Sequence, residues 1–187
     1  MEPYLQYQRT WCARAHGPIL NCGCKEDPAH LGKDFDAVNM DVVDYDTQMR
    51  VSLYSVPNFT IGSFFDIPFP DDHFRTIVLG DILEHATVAQ AREGIQECGR
   101  VLKAGGWIII TLPQDVRPPE VQHTPENLVT YPGGLTSWHR YWSDEELFGF
   151  LQTLQVTQID RTRLRYHPAL SYQGKDCFGW GLTLEMR

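Results

Sequence analysis

Residues Trp107–Leu112 read Trp-Ile-Ile-Ile-Thr-Leu, with three isoleucines in an unbroken row. A half-solvated strand alternates apolar and polar side chains, whereas a run apolar on both faces has to be covered on both. A parallel sheet with helices packed on each side meets that demand. Three more short, largely apolar runs share the property: Pro18–Cys22, Ala37–Val43 and Thr76–Leu79. Val156–Thr162 and Phe178–Met186 alternate instead, which predicts a terminal antiparallel pair. Val88, Ala91, Ile95, Cys98 and Leu102 keep helical spacing until Gly105-Gly106 stops the run. Ser143-Asp144-Glu145-Glu146 predicts a capping box, followed by the buried stripe Leu147, Phe150, Leu151 and Leu154. The expected class is α/β, with helices on both faces of a mostly parallel, doubly wound sheet.

Length and charge narrow the partners. A chain of 187 residues, 42% apolar and without repeats or low-complexity tracts, is expected to form a single domain spanning 1–187. No apolar run approaches the roughly 20 residues of a membrane helix, and the N-terminus does not read as a signal peptide. Five cysteines at irregular spacings make no disulfide framework, so a reducing, cytoplasmic setting is expected. The net charge of −8 argues against unassisted nucleic-acid binding. Arg161, Arg163 and Arg165 share one face of a predicted strand, which reads more readily as a solvated face than as an anion contact.

Gln114–Trp142 spans 29 residues with four prolines and no periodicity. Loops of that length are either disordered or functional. Its His123, Tyr131, Trp138, His139, Tyr141 and Trp142 speak against disorder and predict a substrate loop or lid over 114–142. Cys22-x-Cys24 lacks a matching second pair, and the histidines show no ligand spacing, so no metal site is expected.

A glycine after a first strand and an acid after a second form the physical scheme for holding a nucleoside. Gly23 and Asp41 stand at those places. Further on come Asp66-Ile67-Pro68-Phe69-Pro70-Asp71-Asp72-His73-Phe74, then Thr-Ile-Val-Leu-Gly-Asp-Ile-Leu-Glu-His over 76–85. Gly-Arg-Val-Leu-Lys-Ala-Gly-Gly-Trp-Ile-Ile-Ile-Thr-Leu-Pro follows over 99–113. In this order and spacing the blocks resemble the class I S-adenosylmethionine-dependent methyltransferases, over roughly Ile19 to Leu154.

The resemblance implies a seven-stranded, Rossmann-like sheet with an antiparallel last strand, and S-adenosylmethionine as cofactor. It implies that Gly23 and Cys24 pass under the methionine part, that Asp41 holds the ribose hydroxyls, and that Asp66 takes the adenine amino group. Ile67 would supply an amide beside the adenine ring, and Gly80 and Asp81 would face the methionine amine and the substrate. The first block departs from the family's glycine-rich pattern, with Asn21 for its acid and Lys25 and Asp27 for later glycines. Only 18 positions separate Gly23 from Asp41, a brevity shared with a short-looped subset often found among sugar-modifying enzymes.

The expected reaction is methyl transfer to an oxygen of a small or sugar-like acceptor. A nucleotide or nucleic-acid base as acceptor, and a non-catalytic binding module that keeps the methyltransferase fold, are the alternatives. A hydroxyl acceptor has to lose its proton, and Asp81, His85, His123 and His139 are the candidate catalytic groups. Glu84 reads as a structural partner rather than a base.

Overall fold

A computed structural model describes residues 2–24, 31, 35–42, 45–46, 51–52, 56–117, 130, 135–166 and 172–186. Lys25, Asp27 and His123, with much of the 114–142 stretch, lie outside the described residues. Among the described residues the elements are α1 (Pro3–Cys12), β1 (Ile19–Cys22), β2 (Ala37–Asp41), β3 (Tyr45–Asp46), β4 (Val51–Ser52) and β5 (Phe59–Ile61). There follow β6 (Phe74–Gly80), a 3-10 turn at Leu83–His85, α2 (Val88–Val101), β7 (Leu102–Gln114), α3 (Asp144–Gln152), β8 (Val156–Arg165) and β9 (Phe178–Met186).

Seven strands form one sheet in the order β5-β2-β1-β6-β7-β9-β8, and β3 and β4 pair separately. Neighbours from β5 to β7 run parallel, while β9 inserts antiparallel between β7 and β8. The unalternated runs are what this architecture requires. On β6 and β7, Ile77, Leu79, Ile108, Ile110 and Leu112 point into one core with α2 and α3. Val78 and Ile109, one position out of phase, meet Tyr7, Trp11 and Cys12 of α1 on the other face.

Two helix ends depart from expectation. The α2 run stops at Val101 rather than at the glycines, because Leu102 is already extended. Thr87 and Gln90 form the full reciprocal capping box of α2. At α3, Ser143 accepts the Glu146 amide, but the Glu146 carboxylate pairs with Arg140 instead of closing the box. α2 lies so close to the sheet that a Cβ on Gly94 would come within 1.9 Å of the Phe64 ring.

Sequence periodicity did not reveal α1 or β5. β5 is three residues long and only partly buried. α1 is held by tertiary contacts: the Tyr7 hydroxyl donates to Asp160 at 2.9 Å, and Trp11 meets the edge of Trp107 at 5.6 Å.

Candidate active site

Chain order reverses direction between β1 and β6, since β2 lies to one side of that pair and β7 to the other. In open α/β sheets the crevice outside the carboxyl ends of such strands receives the ligand. Gly23 leaves β1 there with φ +66°, and a Cβ on it would meet Ile82 at 2.9 Å. Both the Gly23 and Cys24 amides donate to Met40 O, and the Cys24 side chain is buried against Val56 and Phe59. Cys24 therefore offers a wall, not a donor. Asp41 ends β2 buried, with Oδ1 accepting the Val42 amide at 2.8 Å. Asn21 donates to Asn39 Oδ1 at 2.9 Å, which ties its amide to the next strand.

Asp81 follows β6 at φ +53°, a conformation that side-chain-bearing residues rarely adopt. Its Oδ1 accepts the hydroxyls of Thr111 and Tyr166, both at 3.0 Å. Gln8 of α1 donates to Thr111 at 2.7 Å, and a Cβ on Gly80 would lie 2.7 Å from the same Gln8 nitrogen. Burial, helped by the charges of Asp81 and Glu84, pushes the Tyr166 phenol well above its ordinary range, so it stays a donor.

The adenine expectation at Ile67 needs correction. Its amide donates to Glu97 Oε1 at 2.8 Å, so it is already committed to α2. Asp66 is exposed, in a turn where its amide bonds to Ser63 O. The residues that follow β5 directly are Gly62 and Ser63, and the Gly62 amide donates to Asp41 O at 2.9 Å.

Glu97 makes that turn pH-sensitive. Hydrogen bonds from Arg100 hold its carboxyl below the ordinary value of 4.5; partial burial opposes them, and the Ile67 amide adds to them. A carboxyl lowered on folding stabilises the protein above its unfolded-state value and loses that contribution as pH falls through the folded one. Glu97→Gln is therefore expected to be less stable than the parent at pH 7, the gap closing at acid pH. Urea denaturation at several pH values between 7 and 3 checks this.

On the other side of the crevice, segments from three parts of the chain converge. Glu84 and His85 lie on the 3-10 turn after β6, and Asp115 directly follows β7. The loop brings in His139, whose Nδ1 bonds to Asp115 Oδ2 at 2.9 Å. Arg117 grips the same carboxylate through Nε and Nη2, the closest contact being 2.6 Å. Burial would raise the Asp115 carboxyl, but these bonds outweigh it and hold it at about 2. His85 Nδ1 bonds to Thr136 O at 2.8 Å, and the two imidazoles meet edge to face with centroids 4.8 Å apart.

Two further bonds fix the loop to the turn: the Arg140 amide to Glu84 O at 2.6 Å, and the Trp142 indole to Leu83 O at 3.0 Å. Trp142 is completely buried and belongs to the core. Trp138 and Tyr141, which flank His139 in the loop, are exposed, Tyr141 to 53%. The sequence singled out His85 and His139 separately. Their meeting with Asp115 had no local signal, because the residues are dispersed over 55 positions from Glu84 to His139.

The arginine face closes on itself. Arg161 lies over Phe148 and Trp180, and Arg163 over Phe178 and Trp180. Arg163 also donates to Gln114, and Arg165 pairs with Asp176 at 2.8 Å. These partners are all intramolecular.

Residues 22–110 match the sequence profile of a methyltransferase domain. A methyltransferase of Methanosarcina mazei, described as dependent on S-adenosylmethionine, superposes with a TM-score of 0.66 at 15% identity. That match covers 92% of this chain and 93% of the other. Over 22–110 the chain thus matches a methyltransferase domain, and over nearly all its length it shares the fold of this solved structure. A methyltransferase of the same cofactor dependence from Clostridium acetobutylicum gives 0.67 at 11% identity, over 98% of this chain and 91% of that one. The Burkholderia thailandensis 1,6-didemethyltoxoflavin-N1-methyltransferase, solved with 1,6-didemethyltoxoflavin and S-adenosylhomocysteine, gives 0.66 at 12% identity. It is covered to 76% and covers 98% of this chain. No curated protein matches the sequence.

The residues present fit two of the three parts of S-adenosylmethionine. Asp41 is a strand-end carboxylate of the kind that holds ribose hydroxyls, and Gly23 has the left-handed backbone of a close ligand turn. The Ile67 amide does not fit the third part, for the reason given above.

Proposed function

We propose that this protein is a methyltransferase that transfers the methyl group of S-adenosylmethionine to an oxygen of a small or sugar-like acceptor. The reading takes 1–187 as one catalytic domain with 114–142 as its acceptor wall. The carrying observation is the Asp115–His139 pair set against His85 outside β6 and β7. Both carboxylate and carbonyl acceptors fix hydrogen on Nδ1, which leaves each Nε2 as the basic nitrogen. A hydroxyl is a poor nucleophile until its proton is drawn away, and this histidine pair is where that happens. Exposed Trp138 and Tyr141 supply apolar faces that suit a sugar ring or a small planar molecule.

When bound, the cofactor supplies an activated methyl on a positively charged sulfur, so the protein's task is alignment, water exclusion and proton removal. Asp41 binds the ribose. β5 neighbours β2 with Ile61 beside Asp41, so the base falls near Gly62 and Ser63, with Asp66 further out as a rim group. Asp81, with one oxygen bonded by Thr111 and Tyr166, is the carboxylate placed for the methionine ammonium, a role Asn21 cannot take. Five buried cysteines, none of them in a disulfide, support a reducing, cytoplasmic setting.

Asp41→Ala is expected to weaken S-adenosylhomocysteine binding at least tenfold without unfolding the chain, as read by calorimetry alongside circular dichroism. The acceptor class is tested by incubating the protein and methyl-labelled cofactor with monosaccharides, phenols and nucleosides, then locating the label by mass spectrometry. Label on a hydroxyl oxygen supports the reading. Label confined to nitrogen or carbon replaces it, and cofactor binding with no transfer to any of them favours the binding-module alternative.

A further inference from the structure

Glu84, His85 and His139 bring one carboxylate and two imidazoles together so that their ligand atoms all lie within 4.8 Å of one another. The three residues come from a turn after β6 and a loop after β7, so no sequence motif announces them. We propose that they form a site for a divalent transition-metal cation, two histidines and one carboxylate, at the acceptor side of the crevice.

The outer contacts are those of a metal site. A metal-bound histidine coordinates through one ring nitrogen and donates from the other to a carboxylate or backbone carbonyl, which fixes its tautomer. His139 donates from Nδ1 to Asp115, and His85 donates from Nδ1 to Thr136 O. Each therefore presents Nε2 with its lone pair. Asp115 is in turn held by Arg117, so the second shell is itself anchored.

Distances and charge agree with this. Ligand atoms about 2.1 Å from a shared ion stand roughly 3.4 Å apart in tetrahedral geometry, so the widest pair has to close by about 1.4 Å. Glu84 is 1% exposed, and a charge so deeply buried is stabilised by a cation at contact distance. Imidazole and carboxylate donors together suit zinc, iron(II), cobalt(II) or manganese(II) rather than calcium, which prefers oxygen alone.

The inference deepens the oxygen-acceptor reading and rests on it only for what the ion does. An acceptor hydroxyl on a divalent cation loses its proton near neutral pH. The proton passes to water, and the electron pair stays on oxygen to form the new bond to the methyl carbon. The carbon–sulfur bond would break with its pair left on the cofactor's sulfur as a neutral thioether. The histidine pair then activates the hydroxyl as ligands of the ion.

The test uses the full-length protein freed of metal by chelator and titrated with cobalt(II), read by visible absorption and calorimetry. One equivalent is expected to bind with the absorption of a low-symmetry nitrogen–oxygen site. His85→Ala and His139→Ala are each expected to weaken binding at least thirtyfold, and Asp115→Asn about tenfold, by releasing the His139 ring. S-adenosylhomocysteine affinity, which reads the opposite side of the crevice, serves as the folding control. No stoichiometric binding, or binding unmoved by both histidine variants in folded protein, overturns the site. If cobalt(II) fails to bind while chelated protein still methylates a hydroxyl, the cation site falls and the acceptor reading survives. Tight cobalt(II) binding without transfer to any hydroxyl supports the site and ends the acceptor reading.

Discussion

His139→Ala is expected to lower methyl transfer to a hydroxyl acceptor by a factor of 100 or more, with S-adenosylhomocysteine affinity changed less than twofold. Removing a group that draws off a proton in the transition state typically costs about 10²- to 10⁴-fold. The split between turnover and cofactor affinity follows from the architecture. His139 lies outside β6 and β7, whereas Asp41 and Gly23 stand at the ends of β2 and β1. Single-turnover kinetics with saturating cofactor measure the first quantity and calorimetry the second. A variant with near-normal turnover would reduce the loop to a cover.

Trp142→Ala should cause the largest loss of stability. The indole is fully buried, packs against Phe150 at 5.6 Å and donates to Leu83 O. Truncating a buried tryptophan costs about 3–5 kcal/mol, from lost burial and the cavity left behind. Here the deletion also strips a hydrogen bond from the turn that carries Glu84 and His85. Denaturant unfolding should show the loss. Trp142→Phe, which keeps much of the volume but not the N–H, should recover most of it while leaving the Leu83 carbonyl without its donor.

The parts of the fold that could be read from sequence are those whose signal is local. Trp107–Leu112 declared a doubly covered strand because apolar side chains fall on both of its faces, and the β8–β9 alternation declared a strand pair. β5 escaped because three half-buried residues carry no period. α1 escaped because its fixing residues, Tyr7, Gln8 and Trp11, act through partners more than 90 positions away. The site divides in the same way. Gly23, Asp41 and Asp81 follow strands and could be placed by counting. The Ile67 amide was misassigned because its true acceptor, Glu97, sits thirty positions on in a helix. His139 was recognisable as a functional type, but its Asp115 partner and its approach to His85 depend on how the loop folds back.

Gln8 and Gly80 carry a consequence for anyone exchanging parts between such enzymes. The Gln8 amide nitrogen occupies the volume that any side chain at position 80 would need, and through Thr111 it reaches the carboxylate of Asp81. The first helix and the end of the sixth strand are thus one interlocking component, although 72 positions divide them. A chimera that imports a foreign leading helix onto this sheet would leave a hole beside Gly80 and loosen Asp81. One that imports a foreign sixth strand ending in alanine or serine would push the native helix off its seat. Such modules can be swapped only as a pair.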